Sequence, residues 1–326
     1  MNRFDYVRAA SAKEAVDLLA ATKGATLKAS GTDLLDRMKS FIDTPSRIVS
    51  LSGAAELGGV TVEVGATRLG ALATLAKVAE ALKEGPLAAI GRAAGDAATP
   101  QIRNVATVGG NLCQRPRCWY YRLGEVPCLK KGGKDCPAIA GDNRYHAIFD
   151  TAPCPIVHPS NLAGPIVAFG ATIHVQGPKG TRDIAADKFF TLPKDDINRE
   201  NVLEANDVIT SVTVPSWEGA TSAYLEAREK ESFDWSLVNA TVVLKLADGV
   251  CKEARVVLGS VAPIPRRVPS AEAALVGKKI DEAVAAEAAR VAFADATPLA
   301  GNAYKIPMGR AITKRAILAA AGLWKE

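Results

Sequence analysis

Five of the six cysteines in this chain, Cys113, Cys118, Cys128, Cys136 and Cys154, fall in one stretch, and the sixth, Cys251, stands far downstream. A lone thiol behaves as a small apolar side chain, which is how Cys251 reads beside a turn. A concentration of thiols reads differently. With Gly132-Gly133 and Pro127, Pro137, Pro153 and Pro155 between them, the five look like ligands on a looped scaffold rather than core residues. Thiolates select soft metals, so zinc and iron–sulfur are the serious choices. The spacing contains neither the paired Cys-x-x-Cys of many structural zinc sites nor the ferredoxin run, and by itself it leaves both open. Arg115, Arg117, Arg122, Lys130, Lys131 and Lys134 stand among the cysteines, either to stabilise a net-negative cluster or as a solvated basic loop.

Two glycine-bearing loops supply a second kind of chemistry. Lys28-Ala29-Ser30-Gly31-Thr32-Asp33-Leu34-Leu35 lies between a strand pattern and a helix start, where backbone N–H groups favour a phosphate. It is neither a Walker loop nor Gly-x-Gly-x-x-Gly, and alone it reads equally as a turn with a capping Thr or Asp. Thr99 to Leu112, with Gly109-Gly110 between Thr107 and Asn111, is a second loop of the same character. Its glycines admit a close ligand, and its Thr and Asn offer hydrogen bonds to phosphate or ribitol oxygens. The histidines, His146, His158 and His174, have no Ser, Cys or carboxylate partner at a recognisable spacing, so no hydrolytic triad or His-x-x-x-His metal site is legible. No catalytic residue is assigned.

The elements that must hold these loops follow from periodicity. Ser11 and Glu14 form a capping box ahead of a helix bearing Ala15, Val16, Leu18 and Leu19, and the N-terminus runs straight into that pattern. Strands are expected over 25–29 and 47–51, with a helix over 34–41. From Leu57 the chain alternates, with Val60, Val62 and Val64 predicted on one half-buried face. Helices over 72–82 and to about 94, strands around 165–176 and 208–214, and a hairpin through Asp248-Gly249 follow, then helices near 281–293 and 309–323. At 326 residues the chain suits two or three domains with proper cores. A net charge of +5 spread among acidic residues carries no nucleic-acid signature, no stretch is long and apolar enough to span a bilayer, and no export signal is seen. The cysteines of such a chain are expected as reduced thiols or metal ligands rather than disulfides.

The segments 29–35 and 99–112, with Leu258-Gly259-Ser260-Val261-Ala262-Pro263 and Arg266, make the whole chain resemble the FAD-binding medium subunit of the xanthine dehydrogenase, aldehyde oxidoreductase and CO dehydrogenase family of molybdenum hydroxylases. That resemblance implies an α+β fold. Its parts are a two-part FAD-binding domain of the vanillyl-alcohol-oxidase/CO-dehydrogenase-flavoprotein type over 1–55 and 56–217, and a C-terminal α/β domain, an antiparallel sheet with helices, over 218–326. It implies FAD, with the pyrophosphate against both loops and the isoalloxazine facing the cleft between the second and third domains. The residues carried over are Lys28, Ala29, Ser30, Gly31, Thr32, Asp33, Leu34 and Leu35, then Thr99, Ile102, Arg103, Ala106, Thr107, Gly109, Gly110 and Asn111, and finally Asn161. Phe233, Asp234 and Trp235 are also family-like and are expected near that cleft. Two departures stand out: Ser30 replaces a usual glycine, and Asn161 replaces a usual aspartate, which removes a charge that in the family faces the cofactor.

Residues 113–157 are similar to an insertion found in the 4-hydroxybenzoyl-CoA reductase and periplasmic aldehyde oxidoreductase types, where it binds a [4Fe–4S] cluster. On that resemblance the ligands are Cys118, Cys128, Cys136 and Cys154, with Cys113 as the spare that continues the flavin loop. A flavoprotein has use for a one-electron carrier, whereas zinc is redox-inert. The function implied is electron relay beside a small subunit with two [2Fe–2S] clusters and a large molybdopterin-binding subunit, and exchange with an external acceptor. A stand-alone flavin oxidoreductase and a zinc-stapled binding or assembly subunit are the alternatives. A cytoplasmic location is expected, or a periplasmic one where a partner carries the export signal.

Overall fold

Three sheets divide the chain, and the computed structural model describes residues 1–231 and 233–324 of it. The first sheet is parallel, with β1 (Asp5–Arg8), β2 (Ala25–Lys28) and β3 (Arg47–Ser50) in the order β1-β3-β2. The helices α1 (Ala12–Ala20) and α2 (Leu34–Lys39) make its crossovers. The capping box forms as expected: Ser11 Oγ accepts the Glu14 N–H at 3.1 Å, and the Glu14 carboxylate accepts the Ala10 N–H at 2.7 Å. β1 was not legible. Its side chains are mostly exposed, so it shows no alternation and owes its strand state to pairing with β3.

The second sheet is antiparallel and holds β4 (Val60–Glu63), β5 (Ala66–Gly70), β6 (Thr172–Gly177), β7 (Gly180–Ala185) and β8 (Val208–Pro215), in the order β4-β5-β8-β6-β7. The alternation at Val60, Val62 and Val64 reports a strand correctly and its burial wrongly. β4 is an edge strand, only Val60 packs on the core, and Val62 and Val64 are exposed. Between β5 and β6 run α3 (Leu75–Ala81), α4 (Ala88–Asp96), α5 (Pro100–Arg103), α6 (Val108–Leu112), the cysteine-bearing segment with α7 (Trp119–Arg122), and α8 (Ala163–Ala168). A strand was expected from Pro165. The wholly buried run 163–168 is instead a helix, because an unbroken apolar run carries no period to separate the two.

The third sheet is antiparallel, with β9 (Ala220–Ala227), β10 (Val238–Ala247), β11 (Val250–Gly259) and β12 (Arg266–Arg267) in the order β12-β11-β10-β9. Asp248 and Gly249 both take positive φ, 52° and 77°, as the short hairpin requires. Successive residues of β10 face different cores: Val242 packs with α9 (Pro269–Leu275), α10 (Glu282–Ala292) and α11 (Lys305–Ala320), while Val243 joins the core that contains α8. Both faces of β10 are buried along 238–244, Asn239 and Thr241 included.

The cysteine segment is pinned to this frame by a buried ion pair. Lys130 Nζ lies 2.7 Å from Glu200 Oε1 and donates to the Ile197 carbonyl at 2.7 Å, and Arg115 Nε reaches Glu200 Oε2 at 2.5 Å. Removing one partner of a buried pair strands the other charge and costs about 3–5 kcal/mol. Lys130→Met should therefore cost the purified protein about 3 kcal/mol of stability, measured by urea unfolding as a lower midpoint. Adding Glu200→Gln to it should recover part of that loss.

Candidate flavin and thiolate site

The two glycine loops meet at one cavity of about 250 Å³. The first loop contributes Thr32 to its wall, and the second contributes Thr99, Ile102, Ala106, Gly110 and Asn111. Asn161 and the segment Phe233-Asp234-Trp235 close the other side. A second cavity of about 170 Å³ shares Arg117, Pro159, Asn161, Asp234 and Trp235 with the first, and continues towards Cys118 and His146. The pair of cavities forms an elongated space that an extended ligand can occupy.

The remaining loop residues shape the wall rather than line it. Gly31 holds φ +87°, and a Cβ there would come within 2.9 Å of the Lys28 side chain. Lys28 Nζ donates to the Ala29 carbonyl at 3.2 Å, Ala29 and Ser30 are half-buried beside it, and Leu34 and Leu35 pack with Met38 and Ile48. In the second loop, Thr99 Oγ1 accepts the Ile102 N–H and Thr107 Oγ1 accepts the Gly110 N–H, fixing two turns. The Gly109 N–H donates to the Ala71 carbonyl at 2.9 Å. Arg103 donates to the carbonyls of Ala97 and Ala98, where Ala98 takes φ +49°. Asn111 Oδ1 accepts the Ser160 hydroxyl at 2.5 Å, tying the loop to the Pro159–Asn161 turn.

Asp33 turns to the arginines. Its carboxylate takes Arg122 Nη2 at 2.7 Å, Arg117 Nη2 at 2.9 Å, the Arg115 backbone N–H at 3.1 Å, and Arg37. Burial pushes this carboxyl up, but Arg37, Arg117 and Arg122 outweigh it and hold it below the usual carboxylate range. Arg122 also reaches Asp36 at 2.9 Å, and Arg117 stacks over Trp235, 4.7 Å from the ring centroid. The basic residues expected around the cysteines are thus mostly spoken for: Arg115, Arg117, Arg122 and Lys130 pair with Asp33, Asp36 and Glu200. Of these, Lys130 also acts on Cys154, lowering its pKa.

Asn161 donates from Nδ2 to Tyr224 Oη at 3.0 Å and to Glu226 Oε2 at 3.2 Å. Burial raises the Glu226 carboxyl, and Arg228 pulls it back. The Asn161 amide adds a donor to the Glu226 carboxylate, beside those of Tyr224 and Arg228.

The thiols sort into two groups. Cys128 and Cys136 lie close enough to Cys118 to raise its pKa, and Cys136 and Cys154 are within hydrogen-bonding reach. The bond between Cys136 and Cys154 lowers the pKa of the first and raises that of the second, so the pair gives up one proton more readily than an ordinary thiol. Backbone N–H groups point at these sulfurs: Tyr120 and Tyr121 at Cys118, Ala138 and Ile139 at Cys136, and Ile156 at Cys154. Cys113 faces Asp33 instead, and burial pushes its thiol up to about 12. Cys251 is buried in the third-sheet core. All six thiols are free, and among the described residues no three His, Cys, Asp or Glu side chains are placed to clasp a single metal ion. The turn after Cys128 needs Gly133, since a Cβ there would lie 2.1 Å from the Pro127 carbonyl.

The histidines showed no partner at a recognisable spacing in the sequence, and the fold supplies each with one. His146 Nε2 lies 3.2 Å from Cys118 Sγ, His174 Nδ1 lies 2.6 Å from Asp183, and His158 Nδ1 accepts the Ser160 N–H at 3.3 Å. Separation in sequence hid the first two. The one available signal was that His146 falls between Cys136 and Cys154. Glu226, Tyr224 and Gln114 were also missed, since β9 was not recognised and a lone polar residue after a loop carries no pattern.

The fold and the paired loops define a two-part flavin-binding domain followed by a C-terminal domain of antiparallel sheet and helices, the α+β architecture expected. Residues 2–217 match the FAD binding domain in molybdopterin dehydrogenase, and residues 222–320 match the CO dehydrogenase flavoprotein C-terminal domain. The chain belongs to the FAD-binding medium subunits of the xanthine dehydrogenase/aldehyde oxidoreductase/CO dehydrogenase family, the oxidoreductase flavoprotein subunits of molybdenum hydroxylases. It is 33% identical over 319 residues to the aldehyde oxidoreductase FAD-binding subunit of Escherichia coli (strain K12), across 95% of this chain and 96% of that one. It is 26% identical over 324 residues to the carbon monoxide dehydrogenase medium chain of Hydrogenophaga pseudoflava, across 98% and 97%. The solved carbon monoxide dehydrogenase from H. pseudoflava matches with a TM-score of 0.78 at 27% identity, over 99% of both chains.

Asn161→Asp tests the wall of the flavin cavity. It sets a second carboxylate against Glu226, so FAD should be held about tenfold more weakly at pH 8, equivalent to roughly 1.4 kcal/mol. Because burial already raises Glu226, protonation as pH falls relieves the repulsion, and the deficit should shrink at lower pH. Fluorescence titration of released flavin reads both effects.

Proposed function

We propose that this chain is the electron-relay subunit of a molybdenum hydroxylase complex, holding FAD and one [4Fe–4S] cluster, and that the organic substrate is turned over elsewhere in the complex. What supports the reading is four free thiols on one looped segment, with Cys118 near Cys128 and Cys136, Cys136 near Cys154, and Cys118 in the wall of the cavity that adjoins the flavin cavity. When bound, FAD supplies a carrier that exchanges electrons in pairs or singly, and an iron–sulfur cube supplies a one-electron carrier.

The residues present fit both groups. Four thiols on looped backbone, each of three receiving peptide N–H groups, form a donor set suited to a cluster whose sulfurs accept such bonds. Thr32, Gly110 and Asn111 offer backbone and amide groups to a polar chain, while Trp235 offers a flat face. Arg117, held by Asp33 and stacked on Trp235, walls both cavities.

Partners follow from the relatives, whose names describe FAD-binding or medium subunits of aldehyde oxidoreductase and carbon monoxide dehydrogenase. We take them to be a small subunit with two [2Fe–2S] clusters and a large molybdopterin-binding subunit, with an external acceptor at the flavin. Substrates of the aldehyde or aromatic and purine classes fit that company. The complex is placed in the cytoplasm, or in the periplasm where a partner carries the export signal.

Anaerobic purification from a host competent in cluster assembly should give a yellow-brown chain with FAD and about four iron and four sulfide. Serine at any one of positions 118, 128, 136 or 154 should lose or convert the cluster, while Cys251→Ser and Cys113→Ser should retain it. One zinc per chain without iron sinks the relay reading in favour of a zinc-stapled subunit. The same preparation should oxidise no aldehyde or purine until its neighbours are co-expressed, and turnover by the chain alone would identify a stand-alone flavoenzyme.

A further inference from the structure

The Cys118 sulfur differs from the other three in what surrounds it. Of the four cysteines it alone lines a cavity described above, the one that shares walls with the flavin cavity. It receives the N–H groups of Tyr120 and Tyr121, and His146 Nε2 stands 3.2 Å away. The imidazole is buried, 4% exposed, and walled by Trp119 with ring centroids 6.0 Å apart.

The main chain around His146 is anchored by the third domain. Asn143 Oδ1 accepts the Gly301 N–H at 2.8 Å, and Asn302 Nδ2 donates to the carbonyls of His146 and Ala147 at 3.1 and 3.0 Å. Lys305 Nζ donates to the carbonyls of Tyr145 and Ser260 at 3.0 and 2.9 Å. The other ring nitrogen, Nδ1, is buried with no hydrogen-bond partner among the described residues. A proton on Nε2 meets the sulfur, whereas a proton on Nδ1 meets nothing and leaves a lone pair facing a thiolate. The tautomer that donates to Cys118 is the one the surroundings favour.

We propose that His146 is a positioning residue for the cluster: it donates Nε2–H to the sulfur of Cys118, the ligand nearest the flavin cavity, and thereby raises the cluster's reduction potential. This rests on the [4Fe–4S] reading above. Reduction adds one electron to the cluster and its thiolates and breaks no bond, and the proton stays on the imidazole in both states. A donor to a ligand sulfur stabilises the more negative, reduced form, which is why hydrogen bonds to sulfur are among the determinants of cluster potential.

The test is a redox titration of the anaerobically purified complex followed by the EPR signal of the reduced cluster, with parent, His146→Phe and His146→Gln. Phenylalanine fills the buried ring site without a donor, and at fixed poise its reduced-to-oxidised ratio should fall about tenfold, or 59 mV for one electron. Glutamine can present an amide N–H to the same sulfur and should restore most of the difference. A Phe variant with full iron and sulfide but the parent midpoint overturns the inference. Should that variant fail to assemble, the parent still decides: ¹⁵N-histidine labelling should convert a weak ¹⁴N coupling on the cluster's EPR signal into a ¹⁵N one, and a signal that labelling leaves unchanged overturns it. A parent that holds FAD but no iron removes the cluster reading itself, and this inference with it.

Discussion

A buried carboxylate has to be matched by cations, and in this molecule one such carboxylate sets the relation of the parts. Asp33 belongs to the first glycine loop, yet two of the three guanidinium groups that reach it, Arg117 and Arg122, belong to the cysteine segment, as does the Arg115 N–H. Taking a charge out of water costs several kcal/mol unless its partners are well placed, so the loop and the segment cannot drift apart without exposing or orphaning that charge. The flavin loop and the thiolate scaffold are in effect one electrostatic unit. Glu200 plays the same part towards the second sheet, with Lys130 and Arg115 as its partners.

This arrangement reassigns the basic residues. In sequence they look like a positive field for an anionic cluster, but their charges are largely neutralised by carboxylates from other parts of the chain. What falls directly on the sulfurs is mostly backbone N–H and one imidazole. Peptide dipoles and a neutral histidine act on these sulfurs without adding net charge to the interior, beside Trp119, Tyr120 and Tyr121.

Much of the fold was legible because it is local. The capping box at Ser11 and Glu14 and the turn at Asp248-Gly249 obey short-range rules, and both form as read. What failed was set by neighbours distant in sequence. β1 is a strand because β3 pairs with it, Val62 and Val64 are exposed because their strand is at an edge, and 163–168 is a helix because both sheets leave room for one. The site divides in the same way. Gly110 and Asn111 stood out from their own loop, whereas the Asp33 partnerships span 82 and 89 positions and no local pattern announces them.

The clasp of the third domain on the cysteine segment has a consequence in time. The carbonyl of Tyr145 is held by Lys305 across 160 positions, and those of His146 and Ala147 by Asn302 across comparable distances. A ribosome makes the cysteines long before it makes Asn302 and Lys305, so the thiols spend the rest of translation on a segment whose far end is unsecured. The last helix then closes it, so the order of synthesis leaves that end of the segment to be fixed last.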